Sequence, residues 1–255
     1  VWGSKTDYYQ TNVLGSVNII KACQQLAIRS LVYTSSPSVT FSGQDENAIN
    51  ETQPYAKRHL NHYSASKAVA EQLILEANKH NNLATVALRP HLIWGPDDPH
   101  IVPRVIAKAR AGRLKLVGAI DKLVDTTYVD NAAYAHILAA LTLTTQPKRC
   151  AGKSYFISND QPITMADMLN KIIACVDLPV VTKRVPSAIA YGVGALLEAC
   201  YLLLNKKQEP MMTRFVARQL ATSHYFDINA AKKDLGYLPL VSIEEGMQRL
   251  QASLS

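Results

Sequence analysis

Two apolar runs bracketing one helical stretch constrain this chain's fold more than any other feature. Leu31-Val32-Tyr33-Thr34-Ser35-Ser36 reads as a buried strand running into small hydroxyl residues, and Leu83-Ala84-Thr85-Val86-Ala87-Leu88-Arg89-Pro90 as a second strand stopped by proline. Between them, Tyr63 to Lys79 carries Ala65, Ala68, Val69, Leu73 and Leu75 with the spacing of an amphipathic helix. Strand, helix, strand in that order predicts a βαβ unit and a parallel sheet. Such sheets place their ligands beyond the carboxyl ends of the strands. Ser36 and Pro90 fall at those ends, and Tyr63 opens the helix between them.

Tyr63 and Lys67 are four apart on that helix, so they share a face with roughly 5–6 Å between Cβ atoms. An ammonium at that distance favours the phenolate and is expected to draw the tyrosine below its usual pKa of about 10. A tyrosine so tuned can give or take a proton near neutral pH, as alcohol–carbonyl redox chemistry requires. Reducing a ketone by hydride builds negative charge on its oxygen, which calls for a second hydrogen-bond donor beside the proton source. Ser36 is the candidate, with Ser35 and Ser38 as alternatives at the same strand end.

Elsewhere, residues 7–28 predict a helix, 101–111 a shorter one, and 131–144 an alanine-rich helix with Asp130 or Asn131 as its N-cap. Lys153 to Ser158 predicts a strand, Ile163 to Val176 a helix opened by Thr164, and Trp94-Gly95-Pro96-Asp97-Asp98-Pro99 a loop. The expected architecture is α/β: a Rossmann-type doubly wound parallel sheet over 1–159, with a smaller, mostly helical substrate domain over 160–255 that also draws on 95–120. With 48% hydrophobic and 18% charged residues in 255, the composition fits a globular, cytoplasmic protein with a sizeable core. The net charge of +7 favours anionic partners. The basic residues are scattered without aromatic interleaving, so nucleic acid is not an expected partner. Cys23, Cys150, Cys175 and Cys200 form no C-x-x-C pair and read as buried free thiols, and no metal site is expected.

One stretch stands apart. Ala188 to Leu204 is almost continuously apolar, broken by Glu198 and flanked by Lys183-Arg184 and Lys206-Lys207. It is shorter than the about 20 residues of a confident membrane span. Two readings stand: a core or lid helix lining an apolar tunnel, or an interfacial helix making peripheral membrane contact. It also holds the chain's only Gly-x-Gly, Gly192-Val193-Gly194, which follows no strand and is read as unrelated to phosphate binding.

Five motifs carry a family resemblance. They are Asn12-Val13-Leu14-Gly15-Ser16, Tyr33-Thr34-Ser35-Ser36-Pro37-Ser38-Val39, Tyr63-Ser64-Ala65-Ser66-Lys67, Arg89-Pro90-His91-Leu92-Ile93-Trp94-Gly95-Pro96 and Val124-Asp125-Thr126-Thr127-Tyr128-Val129-Asp130-Asn131. In this order the chain resembles an extended short-chain dehydrogenase/reductase of the 3β-hydroxysteroid dehydrogenase type. The tail, Ser223-His224-Tyr225-Phe226-Asp227 with Ala231-Lys232-Lys233-Asp234-Leu235-Gly236-Tyr237, matches as well. The resemblance places the glycine-rich turn and the first strands before Val1, roughly 75–85 family positions by the fingerprint's place in such folds.

The resemblance implies an oxidoreductase using NAD or NADP, with Tyr63 as acid or base and Ser36 as the second donor. Lys67 would tune Tyr63 and hold the nicotinamide ribose hydroxyls. Asn12 would fix a helix kink and a proton-relay water, and Ser35, Pro90, His91, Leu92 and Ile93 would lie along the cofactor. His91 itself reads as a satisfied strand-end histidine, and Arg89 as a structural pairing residue. A homodimer through 7–28 and 63–79 is implied too. Within the family, the sequence is most similar to sterol-4α-carboxylate 3-dehydrogenases and bacterial 2-alkyl-3-oxoalkanoate reductases, both acting on a lipid-like acid with oxygen β to a carboxylate. Such an acid wants a fixed cation, for which Arg58, His59, His62, Arg104 and Arg218 are candidates. A nucleotide-sugar epimerase or dehydratase, sharing the Tyr–Lys pair, and a non-catalytic dinucleotide-binding scaffold are the alternatives.

Overall fold

The computed structural model describes residues 2–78, 82–206 and 208–254. Helix α1 (Lys5–Tyr8), a π-helical turn (Tyr9–Leu14) and α2 (Gly15–Gln25) lead into strand β1 (Ser30–Thr34). A 3-10 turn (Pro37–Val39), β2 (Glu46–Ile49), α3 (His62–Ala77), β3 (Ala84–Pro90), β4 (Ile93–Trp94) and α4 (Ile101–Arg110) follow. Next come β5 (Leu116–Val117), β6 (Leu123–Val124), β7 (Thr127–Tyr128), α5 (Val129–Thr145), α6 (Pro147–Cys150) and β8 (Lys153–Ile157). The remainder is β9 (Ile163–Thr164), α7 (Met165–Ala174), β10 (Arg184–Val185), α8 (Ser187–Leu203), α9 (Arg214–Ala221), β11 (His224–Phe226), α10 (Asn229–Leu235) and α11 (Ile243–Leu254).

The βαβ unit forms as the apolar runs demand. β3 lies between β1 and β8, parallel to both, with Val32 opposite Val86 and Leu88 opposite Tyr155. Its side chains alternate between the two sheet faces. Thr85 donates its hydroxyl to Ile74 O on α3 (2.7 Å). Val86 and Leu88 instead join Ala135, Ala139 and Leu143 of α5 in one core. Asn61 caps α3, its side chain accepting from Ser64 N at 2.7 Å. The helix end expected at Lys79 lies outside the described residues.

A second core gathers α4, α7 and α11 around Trp94 and Tyr128. Gly246 sits where a Cβ would come within 2.7 Å of the Trp94 ring and 2.8 Å of Tyr128, so only glycine lets α11 approach. The chain beyond residue 160 divides between the cores: α7 and α11 line this one, whereas Phe226, Ala231, Leu235 and Tyr237 complete the sheet's own core.

Several expectations change. The helix expected over 7–28 ends at Gln25 and is interrupted by the π-turn around Asn12. Neither Asp130 nor Asn131 caps α5, which starts at Val129 after Tyr128 without a side-chain cap. Asn131 is engaged elsewhere: buried, it donates to Val241 O (2.7 Å) and Asn159 Oδ1 (2.9 Å), and accepts from Leu240 N (2.8 Å) and Val241 N (3.0 Å). Thr164 does cap α7, but Ile163 and Thr164 themselves pair with β6. Cys23 and Cys150 are buried, Cys175 is half-buried and Cys200 is exposed; all four are free.

The apolar stretch forms α8, yet it is not a core helix. Only Ala190 and Gly194 are buried, while Leu196, Leu202 and Leu203 are 65%, 70% and 86% exposed. Gly194 is a packing glycine: a Cβ there would lie 2.7 Å from the Thr213 carbonyl carbon and 2.8 Å from Arg214 N, where α9 begins. Among the described residues no helix is long and apolar enough to cross a membrane.

Candidate active site

β1 delivers the site. Ser35 N donates to Leu88 O at 2.6 Å, extending the strand pairing by one residue before the chain turns away. Pro37 starts the 3-10 turn, and the Ser36 hydroxyl accepts from Ser38 N (3.2 Å) while sharing a hydrogen bond with Ser38 Oγ (2.9 Å). Tyr63, in the first turn of α3, points its phenol at this turn, with Tyr8 packed edge-on at a centroid distance of 5.9 Å. Burial pushes the Tyr63 phenol above its ordinary 10.0, and the Ser36 hydroxyl beside it pulls the other way.

Lys67 is placed differently from expectation. Its ammonium donates to Thr34 O (2.7 Å) and Tyr33 Oη (3.2 Å) and lies 4.6 Å from the Tyr33 ring centroid. In place of the expected depression, desolvation raises Tyr63, and the influence opposing it is the Ser36 hydroxyl. Lys67 is itself drawn down by burial, opposed by the charge of Glu71 one turn on.

Asn12 sits inside the π-turn, where its backbone carbonyl accepts from Ser16 Oγ at 2.6 Å. Its side-chain amide donates to Ser66 Oγ at 2.9 Å, and Ser66 Oγ donates to Tyr63 O at 2.9 Å. Asn12 therefore braces the turn of α3 that holds both Tyr63 and Lys67. Arg89 braces it from below through a forked pair with Glu71, at 3.0 Å (Nε to Oε2) and 2.5 Å (Nη2 to Oε1).

The remaining candidates separate. The Ser35 hydroxyl is buried without a partner. Pro90 and His91 are buried, Leu92 is half-buried in a left-handed backbone conformation (φ 42°), and Ile93 is exposed. The His91 ring turns inward: its Nε2 lies 2.8 Å from His224 Nδ1, and His224 Nε2 lies 2.7 Å from Gln219 O. Since a carbonyl only accepts, His224 carries its proton on Nε2, and His91 donates to its free Nδ1. Burial drives both rings below the ordinary 6.5, consistent with a neutral pair. Arg104 is tied to Glu209 at 2.6 Å, whereas Arg58 and His62 are exposed. His59 is half-buried, its Nδ1 lacks a partner, and burial lowers its pKa. Arg218 stacks over Tyr191, 4.8 Å from the ring centroid.

Sequence reasoning missed the roles of Tyr33 and Glu71. Glu71 had a signal, the i+4 spacing from Lys67 on the same helical face.

Comparison with known proteins identifies the family. The model of the 3-beta hydroxysteroid dehydrogenase/isomerase family matches residues 2–181. The 2-alkyl-3-oxoalkanoate reductase of Shewanella oneidensis is 63% identical over 260 residues, covering 100% of this chain and 67% of that protein. A sterol-4-alpha-carboxylate 3-dehydrogenase (decarboxylating) of Mus musculus is 34% identical over 250 residues, covering 96% of this chain and 69% of that protein. Among solved structures, the UDP-glucuronic acid 4-epimerase of Bacillus cereus in complex with NAD superposes with a TM-score of 0.73 at 19% identity, over 100% of this chain and 71% of that one. At that identity the likeness speaks for the fold alone. With a family model spanning most of its length and close relatives along all of it, the chain belongs to the 3-beta hydroxysteroid dehydrogenase/isomerase family.

Proposed function

We propose that this protein is an NAD(P)(H)-dependent oxidoreductase interconverting the 3-oxo and 3-hydroxy groups of a lipid-like acid of the 2-alkyl-3-oxoalkanoate class. The observation that carries this reading is the facing of Tyr63 and Ser36 at the carboxyl end of a parallel strand, with Lys67 one turn along, in a chain 63% identical to a reductase of that name.

The residues present fit a nicotinamide nucleotide. The Ser35 hydroxyl is buried without a partner where β1 ends, and the Lys67 ammonium is held at Thr34, the neighbouring residue. A hydroxyl and an ammonium together suit the hydroxyls of a ribose. Lys67, Ser35 and Tyr63 would hold that part of the cofactor, and Leu92 and Ile93 its nicotinamide. When bound, the cofactor supplies the hydride to C3 in reduction and takes it back in oxidation. Tyr63 gives its proton to the carbonyl oxygen as the charge develops, and Ser36 donates a hydrogen bond to the same oxygen. A phenol is protonated at neutral pH and burial raises Tyr63 further, so the reductive direction starts with its acid in the required form. Asn12 holds the turn of α3 that aims Tyr63.

Two partner surfaces accompany this reading. Ile19 on α2 and Val69 on α3 are exposed, and these helices pack side by side, which supports pairing of two copies through them. The far half of α8 supports peripheral contact with lipid. Leu202 and Leu203 are bare there, Lys206 lies 5.2 Å from the Tyr201 ring centroid, and Trp2 meets Tyr201 edge-on at 6.4 Å.

The test follows NAD(P)H absorbance with a racemic 2-alkyl-3-oxo fatty acid and the full chain. Cofactor oxidation that depends on the acid is expected; cofactor binding without turnover would overturn the assignment.

A further inference from the structure

A 3-oxo acid carries a carboxylate one carbon removed from its reacting carbon. Discriminating such an acid from a plain ketone calls for a fixed cation, best supplied by a planar guanidinium. The geometry points to Arg218 as the residue that receives this carboxylate, an assignment that rests on the reading above.

Most of the other cations around the site are committed, and Arg58 and His62 are exposed. Arg89 is buried against Glu71, Arg104 pairs with Glu209, Arg214 pairs with Glu198 at 2.6 Å, and Lys67 is held by Thr34 and Tyr33. His59 is kept toward its neutral form by burial. Arg58 is exposed and packs on no ring or acid among the described residues. Arg218 is also exposed and makes no ion pair among the described residues, but unlike Arg58 its guanidinium is positioned over the Tyr191 ring.

That positioning comes from three contacts. Phe215, one turn before Arg218 on α9, meets Phe41 edge-on at 6.2 Å, and Phe41 lies in the chain leaving the Ser36 turn. The Arg218 stem then passes Gly43: a Cβ built on Gly43 would lie 4.0 Å from Arg218 Cδ and 3.2 Å from Leu60 Cδ1. Leu60 immediately precedes Asn61, the cap of the helix whose first turn carries Tyr63. Finally, the guanidinium carbon lies 4.8 Å from the Tyr191 ring centroid. The stem is thus set between the two segments that bring Ser36 and Tyr63 together, and the head rests on an aromatic face with no acid among the described residues to neutralise it. Stacking of this kind restricts the guanidinium before a ligand arrives, which lowers the ordering cost of binding. Gly43 contributes by its conformation (φ +91°) and by leaving room for both Leu60 and Arg218.

The test uses the oxidative direction, where the substrate acid is chemically stable. A 2-alkyl-3-hydroxy acid loses hydride from C3 to oxidised NAD(P) and its hydroxyl proton through Tyr63, giving the 3-oxo acid. The comparison compound is the secondary alcohol with hydrogen in place of the carboxylate. Arg218→Met is expected to lower kcat/KM for the acid about 10- to 100-fold, chiefly through KM, and to change it for the alcohol by no more than about threefold. Arg218→Lys, keeping charge without the fork, should fall between. Inhibition by a saturated fatty acid should weaken in parallel, whereas inhibition by the matching fatty alcohol should not. Equal losses on both compounds, or no loss on the acid, would overturn the assignment to Arg218 alone. A wild-type enzyme that binds cofactor but leaves the acid unoxidised would overturn the hydroxy-acid reading, and the assignment with it.

Discussion

Lys67 Nζ donates to the carbonyl oxygen of Thr34 at 2.7 Å, tying the helix that carries Tyr63 to the last residue of the strand that leads into Ser36. The lysine therefore sets the spacing between proton donor and hydrogen-bond donor as well as presenting a charge. Lys67→Met should weaken NAD(P) binding and reduce kcat/KM by about 10²-fold or more. Cofactor titration by fluorescence alongside turnover checks this. Unchanged cofactor affinity would remove Lys67 from the ribose.

Arg89 and Glu71 form a buried forked pair, and Tyr55 Oη donates to Glu71 Oε1 at 2.7 Å. Arg89→Met leaves the buried Glu71 carboxylate without its forked partner, at an expected cost of about 3–5 kcal/mol. The double variant Arg89→Met, Glu71→Leu should recover much of that loss, because no unpaired charge remains. Denaturant unfolding of the three proteins measures both effects. A single variant as stable as wild type would contradict the assigned role.

Glu46 is buried, accepts from Thr40 Oγ1 at 2.9 Å, and is pushed up from 4.5 to about 7 by burial, with Thr40 and the charge of Arg89 opposing. Its folded pKa lies above its unfolded one, so the folded state binds the proton more tightly. The resulting stabilisation is fully present below 4.5 and is lost as pH rises through about 7. Glu46→Gln removes this dependence. Its stability relative to wild type should increase between those two pH values, by on the order of 3 kcal/mol, and level off above them. Unfolding free energies across that range give the answer; a constant difference would show that Glu46 stays ionised.

The bare leucines of α8 make a separate expectation. The protein should co-float with vesicles of phosphatidylcholine and anionic phosphatidylserine, and Leu202→Asp with Leu203→Asp should leave it at the bottom of the gradient. Raised salt should weaken flotation, since Lys206 and its neighbours supply the electrostatic part. Wild-type protein that never floats removes the lipid contact.

How much of this was legible in the sequence depends on how local the signal is. Ser36, Tyr63 and Lys67 could be read because a strand end and an i+4 helical spacing are local. The anchor of Lys67 could not, because its partner is a backbone carbonyl and any residue supplies one. The two histidines that meet at 2.8 Å are 133 positions apart, so only the fold joins them. Asp130 or Asn131 reads as a cap because both residue types cap helices, but tertiary partners in 240–241 claim the Asn131 amide. For α8, hydropathy gave the apolar character without telling whether protein covers it. The π-turn at Asn12 was legible only through family resemblance, since no composition rule marks that register change.

The central claim is that Tyr63 passes the proton. Its most direct test is the rate of NAD(P)H oxidation by Tyr63→Phe on a 2-alkyl-3-oxo fatty acid, with cofactor binding measured on the same sample. The phenylalanine variant should bind cofactor within a few-fold of wild type and lose about 10²–10⁴ in kcat. A variant that turns over at the wild-type rate would show that the proton comes from elsewhere.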